Sequence, residues 1–493
     1  MSGRFPLIKK WLILVIAAAS LAGCVTTAAL DRRVAASPKV PWTPPPGAAP
    51  APAPAGAATA APGQPAGLPS FPADLEPSRQ SLTLVQLVDV GLGNNAQTRL
   101  AWSQARSAAA ALTMAQSSYF PKVDVTANAA RQKAAFAGGR FIVDQETLTP
   151  TAALTYLLFD FGGRRATAEA ARQALQAANW TQSAAIQNVI LQVEKAYYQY
   201  LAAKALLKAQ TSSLKGAQAN YDAANARRGA GVATIADVLQ AKTALSSTEL
   251  NLVTAQGLVQ TLHGILANAL GLAANADFEV GDEMAETIPL KELSEKVDAC
   301  IKDAETRRPD LAAARALAQR AQAQVRKAKS DLLPFFTLNS SYGRVYYSGR
   351  AISNEQFGVS VLLNLPITAG GTREAAILQA KADAETASAQ ADRLASDIAL
   401  QVWTSYFGVQ TSRQKIRAAG DLQASAEKSL EVALGRYKEG VGNILDLLTA
   451  QSILESARGQ VIQARTEWFL SIVQFNRDIG TLAAPGPISP PGL

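Results

Sequence analysis

Two stripes of apolar residues recur every seven positions without a break. Val238, Leu245, Leu252, Val259 and Leu266 form the first, and Leu447, Leu454, Val461, Trp468 and Phe475 form the second, 209 positions later. A strict seven-residue period marks a coiled-coil seam, not the 3.6 period of a helix lying on a globule. Three positions after the stripe residues stand mostly small ones: Ala241, Thr248 and Ala255, then Ala450, Ala457, Ala464 and Ser471. Small neighbours let helix backbones approach closely. The longer helical patterns predict helices over about 79–119, 163–227, 291–333 and 371–437. A helix of 65 residues would span roughly 100 Å, the proportion of a rod or a tube wall.

Between those helices the period changes to two. Val123, Val125 and Ala127 alternate with Asp124, Thr126 and Asn128, and Phe357, Val359, Val361 and Leu363 with Gly358, Ser360, Leu362 and Asn364. The alternation predicts strands over 121–132, 147–160, 334–347 and 355–365. About ten alternating residues suffice for one membrane crossing by a tilted strand. Tyr119, Phe120, Tyr156, Phe159, Phe335, Phe336, Tyr346 and Tyr347 lie near the strand ends, where an aromatic girdle would sit. Four strands are too few for a transmembrane barrel, which needs about eight, and an open sheet leaves unpaired edges in lipid. Strands in a membrane must therefore come from several chains; the alternative is a pair of soluble hairpins capping a helical bundle.

The elements come in the same order twice. Residues 95–121 align with 308–334 at an offset of 213, pairing Ala105 with Ala318 and Ala115 with Ala328. Gly162-Gly163 aligns with Gly370-Gly371, and Gly231 and Asp237 with Gly440 and Asp446. The drift between offsets falls in the expected strands and loops, which tolerate insertions.

Of the 493 residues, 48% are hydrophobic, 17% charged and only 6% aromatic, which excludes wholesale disorder and suits closely packed helices. The net charge is +8, but Lys and Arg are scattered, which argues against a nucleic-acid surface. The chain holds one His, His263, and two Cys, Cys24 and Cys300. Most zinc sites and most His-dependent catalysis are thereby excluded, no phosphate-binding glycine loop is present, and no cofactor is expected.

The N-terminus reads as an address. Arg4, Lys9 and Lys10 precede a short apolar stretch, and Leu21-Ala22-Gly23-Cys24 matches the lipobox of bacterial lipoproteins. That predicts a signal peptide over 1–23 and a covalent lipid on Cys24. Val25 stands where an Asp would signal inner-membrane retention. Residues 38–77 are dominated by Pro, Ala and Gly and predict an extended spacer that lets the lipid reach the bilayer. The domain plan is thus anchor and linker over 24–78, repeats over 79–290 and 291–480, and a tail over 481–493.

Arg308-Pro309-Asp310-Leu311, Leu332-Leu333-Pro334, Gly370-Gly371, and Arg436-Tyr437 to Gly440 followed by Ile444-Leu445-Asp446-Leu447-Leu448 carry a resemblance to the TolC family of outer-membrane factors, in its lipidated branch serving resistance-nodulation-division pumps. The resemblance implies a mixed α and β membrane protein: a homotrimer whose twelve strands close one barrel, continuous with a helical periplasmic tunnel. It implies an outer-membrane, lipid-anchored duct and no enzyme. Its partners would be a periplasmic adaptor, an inner-membrane pump and outer-membrane lipid. The turns with Gly231 and Gly440 would form the periplasmic tip, where Asp446 would ring the aperture. Asp237 and Asp446 equally suit helix N-terminal acids. Where family members often carry a further acid, this chain has Thr449. The rival functions are a type I secretion exit duct and a lipid-anchored coiled-coil scaffold without a pore.

Overall fold

The computed structural model describes residues 33–43, 82–136, 138, 140–281, 296–348, 353–367 and 370–482. Cys24, the signal segment, the Pro run and most of the tail lie outside them. The elements run α1 (Leu84–Asn94), α2 (Ala96–Ser117), β1 (Lys122–Phe136), β2 (Phe141–Phe159), α3 (Gly163–Gly229), α4 (Ile235–Ala269), α5 (Val297–Arg307), α6 (Pro309–Ser330), β3 (Phe335–Tyr347), β4 (Ser353–Asn364), α7 (Thr372–Lys438) and α8 (Ile444–Asp478). Helix lengths of 11, 22, 67 and 35 residues occur in this order in each half.

The single helices expected over 79–119 and 291–333 are each broken. Asn95 and Arg308 both take an extended backbone between two helices. Arg308 precedes Pro309, whose ring disfavours a helical residue before it. Asn95 instead caps α2, its Oδ1 accepting the Gln97 N–H at 2.8 Å.

By its contacts the chain forms two units. One comprises 1–36, 103–179 and 312–392, and the other 37–102, 180–311 and 393–493. The first holds an antiparallel sheet in the order β1-β2-β3-β4. β3 falls within one residue of its expected span, while β1, β2 and β4 are longer than expected, most of all β2, at 19 residues. In the same unit Val34 packs on Ala105, Ala109, Leu112 and Leu175, and Arg33 donates to Gln116 at 3.0 Å.

The second unit holds the seams. All five residues of the stripe on α8 are buried; on α4, Val238, Leu245 and Leu266 are. The layers on α7 and α8 step by seven: Ala426 with Leu454 and Ala457, then Ala419 with Val461 and Ala464. Tyr198 stacks on Phe469 at 4.7 Å within the largest cluster.

Residues 38–43, assigned by composition to the start of an extended spacer, are largely exposed but are tied at points to the helix beside them. Within the second unit, Gln182 Nε2 donates to the Ser37 and Val40 carbonyls, both at 3.3 Å, and Trp42 meets Trp180 edge-on at 5.1 Å. Trp42, half-buried ahead of the Pro run, gives this stretch a ring to set against Trp180. The Pro run that follows, expected as the spacer, lies outside the described residues.

Candidate functional site: paired turns and a two-faced sheet

The two 67-residue helices end in turns of the same construction. After α3, Gly231 takes φ +78°, its N–H bonding to the Arg228 carbonyl at 2.9 Å while that of Val232 reaches Arg227 at 3.0 Å. After α7, Gly440 also takes φ +78°, with Gly440 N–H on Tyr437 at 3.2 Å and Val441 N–H on Arg436 at 3.0 Å. This left-handed C-terminal cap is the one that favours glycine. Val232 and Val441, which follow the two glycines, are 65% and 70% exposed.

The acids that follow differ in their contacts. Asp237 belongs to a reciprocal capping box: its Oδ2 accepts the Thr234 N–H at 2.7 Å, and its own N–H donates to Thr234 Oγ1 at 3.2 Å. At Asp446 the cap is Asn443, whose Oδ1 accepts the Asp446 N–H at 2.7 Å. The Asp446 carboxylate is exposed and meets no hydrogen-bond or ion-pair partner among the described residues. It borders a cleft of ≈ 590 Å³ together with Lys428, Arg436, Thr449 and Ile453. Two residues that look equivalent in the sequence are thus a satisfied helix cap and a free carboxylate.

One link between the hairpins was not read from the sequence. Arg227 Nη1 donates to the Tyr437 carbonyl at 2.5 Å, and its guanidinium lies 4.7 Å from the centre of the Tyr437 ring. Burial pushes the Tyr437 phenol up, Arg227 pulls it back, and the nearby Asp237 charge adds to the rise. The phenol oxygen is buried with no hydrogen-bond partner among the described residues. Both residues stood in plain sight, but nothing in local periodicity says that the end of α3 touches the end of α7.

The sheet of the other unit has two chemically distinct faces. Register pairs Val125 with Ala152, Ala152 with Tyr342, and Tyr342 with Phe357. Side chains on directly paired residues share a face. One face therefore carries Val123, Val125, Leu148, Leu154, Leu338, Val359, Val361 and Leu363. The opposite face carries Asp124, Thr126, Asn128, Thr149, Thr151, Asn339, Ser341 and Ser360. The apolar side is bare: Val125 is 76% exposed, Val359 58% and Val361 60%. A register shift between Leu157 and Phe159 brings Phe159 opposite Phe336, on the apolar face. The expected aromatic girdle is divided, since Tyr156, Phe336 and Tyr346 share that face while Phe335 and Tyr347 take the other. No helix of the described residues is long and apolar enough to cross a membrane. Among the described residues, no group of three or more metal-ligating side chains occurs.

The family model described as "Outer membrane efflux protein" matches residues 87–272 and 300–480. Protein CyaE of Bordetella pertussis is 28% identical over 404 residues, covering 80% of this chain and 84% of that relative. The probable efflux pump outer membrane protein TtgC of Pseudomonas putida is 25% identical, covering 80% and 82%. The solved structure of the outer-membrane channel OprN aligns with TM-score 0.73 at 24% identity, over 80% of this chain and 89% of that one, a likeness of fold.

Proposed function

The chain belongs to the outer membrane efflux protein family, and from that footing we propose that it is the exit duct of a tripartite efflux system. It is an outer-membrane efflux channel. Three copies assemble, and their twelve strands close one barrel with the polar faces inward and the apolar faces towards lipid. The helical hairpins complete a periplasmic tunnel. The observation that carries this reading is the four-stranded sheet with one bare apolar face and two open edges, β1 and β4. Unpaired edges are not tolerated in lipid, so partner strands must close them.

The duct performs no chemistry and hydrolyses nothing. An inner-membrane pump supplies the energy, and a periplasmic adaptor docks at the turns, where Val232 and Val441 offer exposed apolar contacts. Asp446 faces the aperture and draws cations to it, while Asp237 holds the start of its helix. A lipid on Cys24 adds an anchor close to the body. The matching helix lengths and the paired glycine turns support descent of the two halves from one duplicated unit.

Conductance across a planar bilayer, measured beside the mass of the detergent-solubilised particle, tests the reading. A conducting trimer is expected. A monomer that stays in solution without detergent, or a trimer that never conducts, overturns it and favours the pore-free scaffold.

A further inference from the structure

The apolar face of the sheet does not run to the ends of the strands. Beyond Ala129 on β1 and Leu148 on β2, the same side turns ionic. Arg131 pairs with Glu146, and Lys133 with Asp144, in register across the two strands. On the next hairpin Arg344 stands opposite Glu355, one row inside Leu148 and Tyr346, at the border of the apolar band. The parity that puts Val125 and Val359 on this face puts all six charges there too. Arg131 Nε and Nη2 hold both Asp144 oxygens at 3.0 Å, and its Nη1 lies 3.6 Å from Glu146. Arg344 Nη2 donates to Glu355 at 2.8 Å.

These groups are exposed: Arg131 keeps 66% of its side-chain surface and Arg344 43%. A guanidinium has five N–H donors, of which Asp144 takes two from Arg131. The belt also lies at a step. Among the described residues β3 last pairs with β2 at Tyr347 and Thr147, the Ser348 N–H still reaching the Glu146 carbonyl at 3.0 Å, while β1 and β2 stay paired out to Phe136 and Phe141. The step leaves a notch of ≈ 560 Å³ lined by Ala129, Arg131, Glu146, Leu148 and Tyr346, among others.

We propose that this belt docks the phosphate-bearing headgroups of glycolipids in the outer leaflet. The inference rests on the reading of the sheet as membrane-spanning. On that reading, charges contiguous with a lipid-facing apolar band stand at the headgroup level, because ion pairs among acyl chains are strongly disfavoured. Guanidinium groups recognise phosphate in a two-pronged fashion. The three acids do not repel such a leaflet, because divalent cations that bridge lipid phosphates also bind carboxylates. The notch beside Tyr346 receives the sugar that carries the phosphate, and the apolar band below it receives the acyl chains.

The test is native mass spectrometry of the full chain in detergent with magnesium, titrated with bisphosphorylated lipid A or with the same lipid after phosphatase treatment. Wild type is expected to retain the phosphorylated form at least about tenfold more tightly, as loss of charge-assisted hydrogen bonds implies. Arg131→Gln combined with Arg344→Gln should lose that preference while single-channel conductance stays unchanged. Equal retention of the two lipids by wild type, or an undiminished preference in the double variant, overturns the proposal. The lipid comparison on unaltered protein decides the matter even if the double variant fails to fold. Absence of conductance in wild type would instead strike the channel reading beneath it.

Discussion

Asn95 and Arg308 hold the same post in the two halves. Asn95 Nδ2 donates to the carbonyl of Ala269 at 3.2 Å, and Arg308 Nη1 donates to that of Asp478 at 3.4 Å. Each carbonyl stands two residues before a left-handed glycine, Gly271 or Gly480, that ends the last helix of its half. The glycines sit against the breaks themselves. A Cβ on Gly271 would come within 2.8 Å of Asn94 backbone, and one on Gly480 within 3.0 Å of Arg307 backbone. One post is neutral and the other ionic, yet both tie the helix break to the helix end.

Arg308 is buried among charges. Its Nε and Nη2 grip the two Asp310 oxygens at 3.0 and 2.5 Å, Nη1 donates to Gln401 at 2.7 Å, and Asp478 lies 3.7 Å away. Burial pushes the Asp310 carboxyl up, but Arg308, with Arg477 behind it, brings it net below the usual range. Arg308→Ala would leave Asp310 and Asp478 with Arg477 as their remaining cation and is expected to destabilise the protein by about 3 kcal/mol. The check is the thermal midpoint in detergent at fixed protein concentration, where an unchanged midpoint would contradict this account.

Gly480→Ala forces an L side chain into φ +78° against the Arg307 backbone. The conformation alone is worth about 1–2 kcal/mol, and the contact adds to it. A substitution at Gly257, whose Cβ would meet nothing within 4 Å, serves as the comparison. Thermal midpoints should fall clearly further for Gly480→Ala than for Gly257→Ala.

Glu194 is 5% exposed, and burial raises its pKa to about 7. A raised acid binds its proton more tightly when folded. Its contribution to stability is complete below the unfolded value, about 4.3, and fades as pH rises towards about 7. Glu194→Gln should therefore match wild type near pH 4 and exceed it near pH 8, by up to about 3 kcal/mol. A difference in thermal midpoint that does not vary with pH would refute the assignment.

The two acids of the turns should behave differently. Asp446→Ala is expected to raise single-channel conductance or weaken block by cations, with little change in stability. Asp237→Ala removes half of a capping box and should cost about 1 kcal/mol. Bilayer recordings and thermal melts on both variants separate the roles; an unaltered cation response in Asp446→Ala would remove it from the aperture.

Arg227→Ala deletes the hydrogen bond and the ring contact that join the two hairpins at Tyr437. The expected outcome is a higher open probability in bilayer recordings. A channel that opens as rarely as wild type would show that this link does not restrain the turns.

Periodicity alone determined the seams, the strands and the order in which they recur. A seven-residue stripe can only face another helix, and an alternating strand has two faces whatever surrounds it. Gly231 and Gly440 were legible for the same reason, since a reversal after a long helix calls for a residue that tolerates positive φ. The break at Arg308 was legible in principle from Pro309; the break at Asn95 was not, because an Asn serves equally within a polar helix face or as a cap. What only the tertiary structure decided were meetings between distant segments. Arg227 against Tyr437, Asn95 against Ala269 and Trp42 against Trp180 depend on which helices lie side by side, a matter of packing that no local period encodes. The roles of Asp237 and Asp446 diverged for the same reason: a carboxylate's task is set by the donors around it, and those arrive only when the chain has folded.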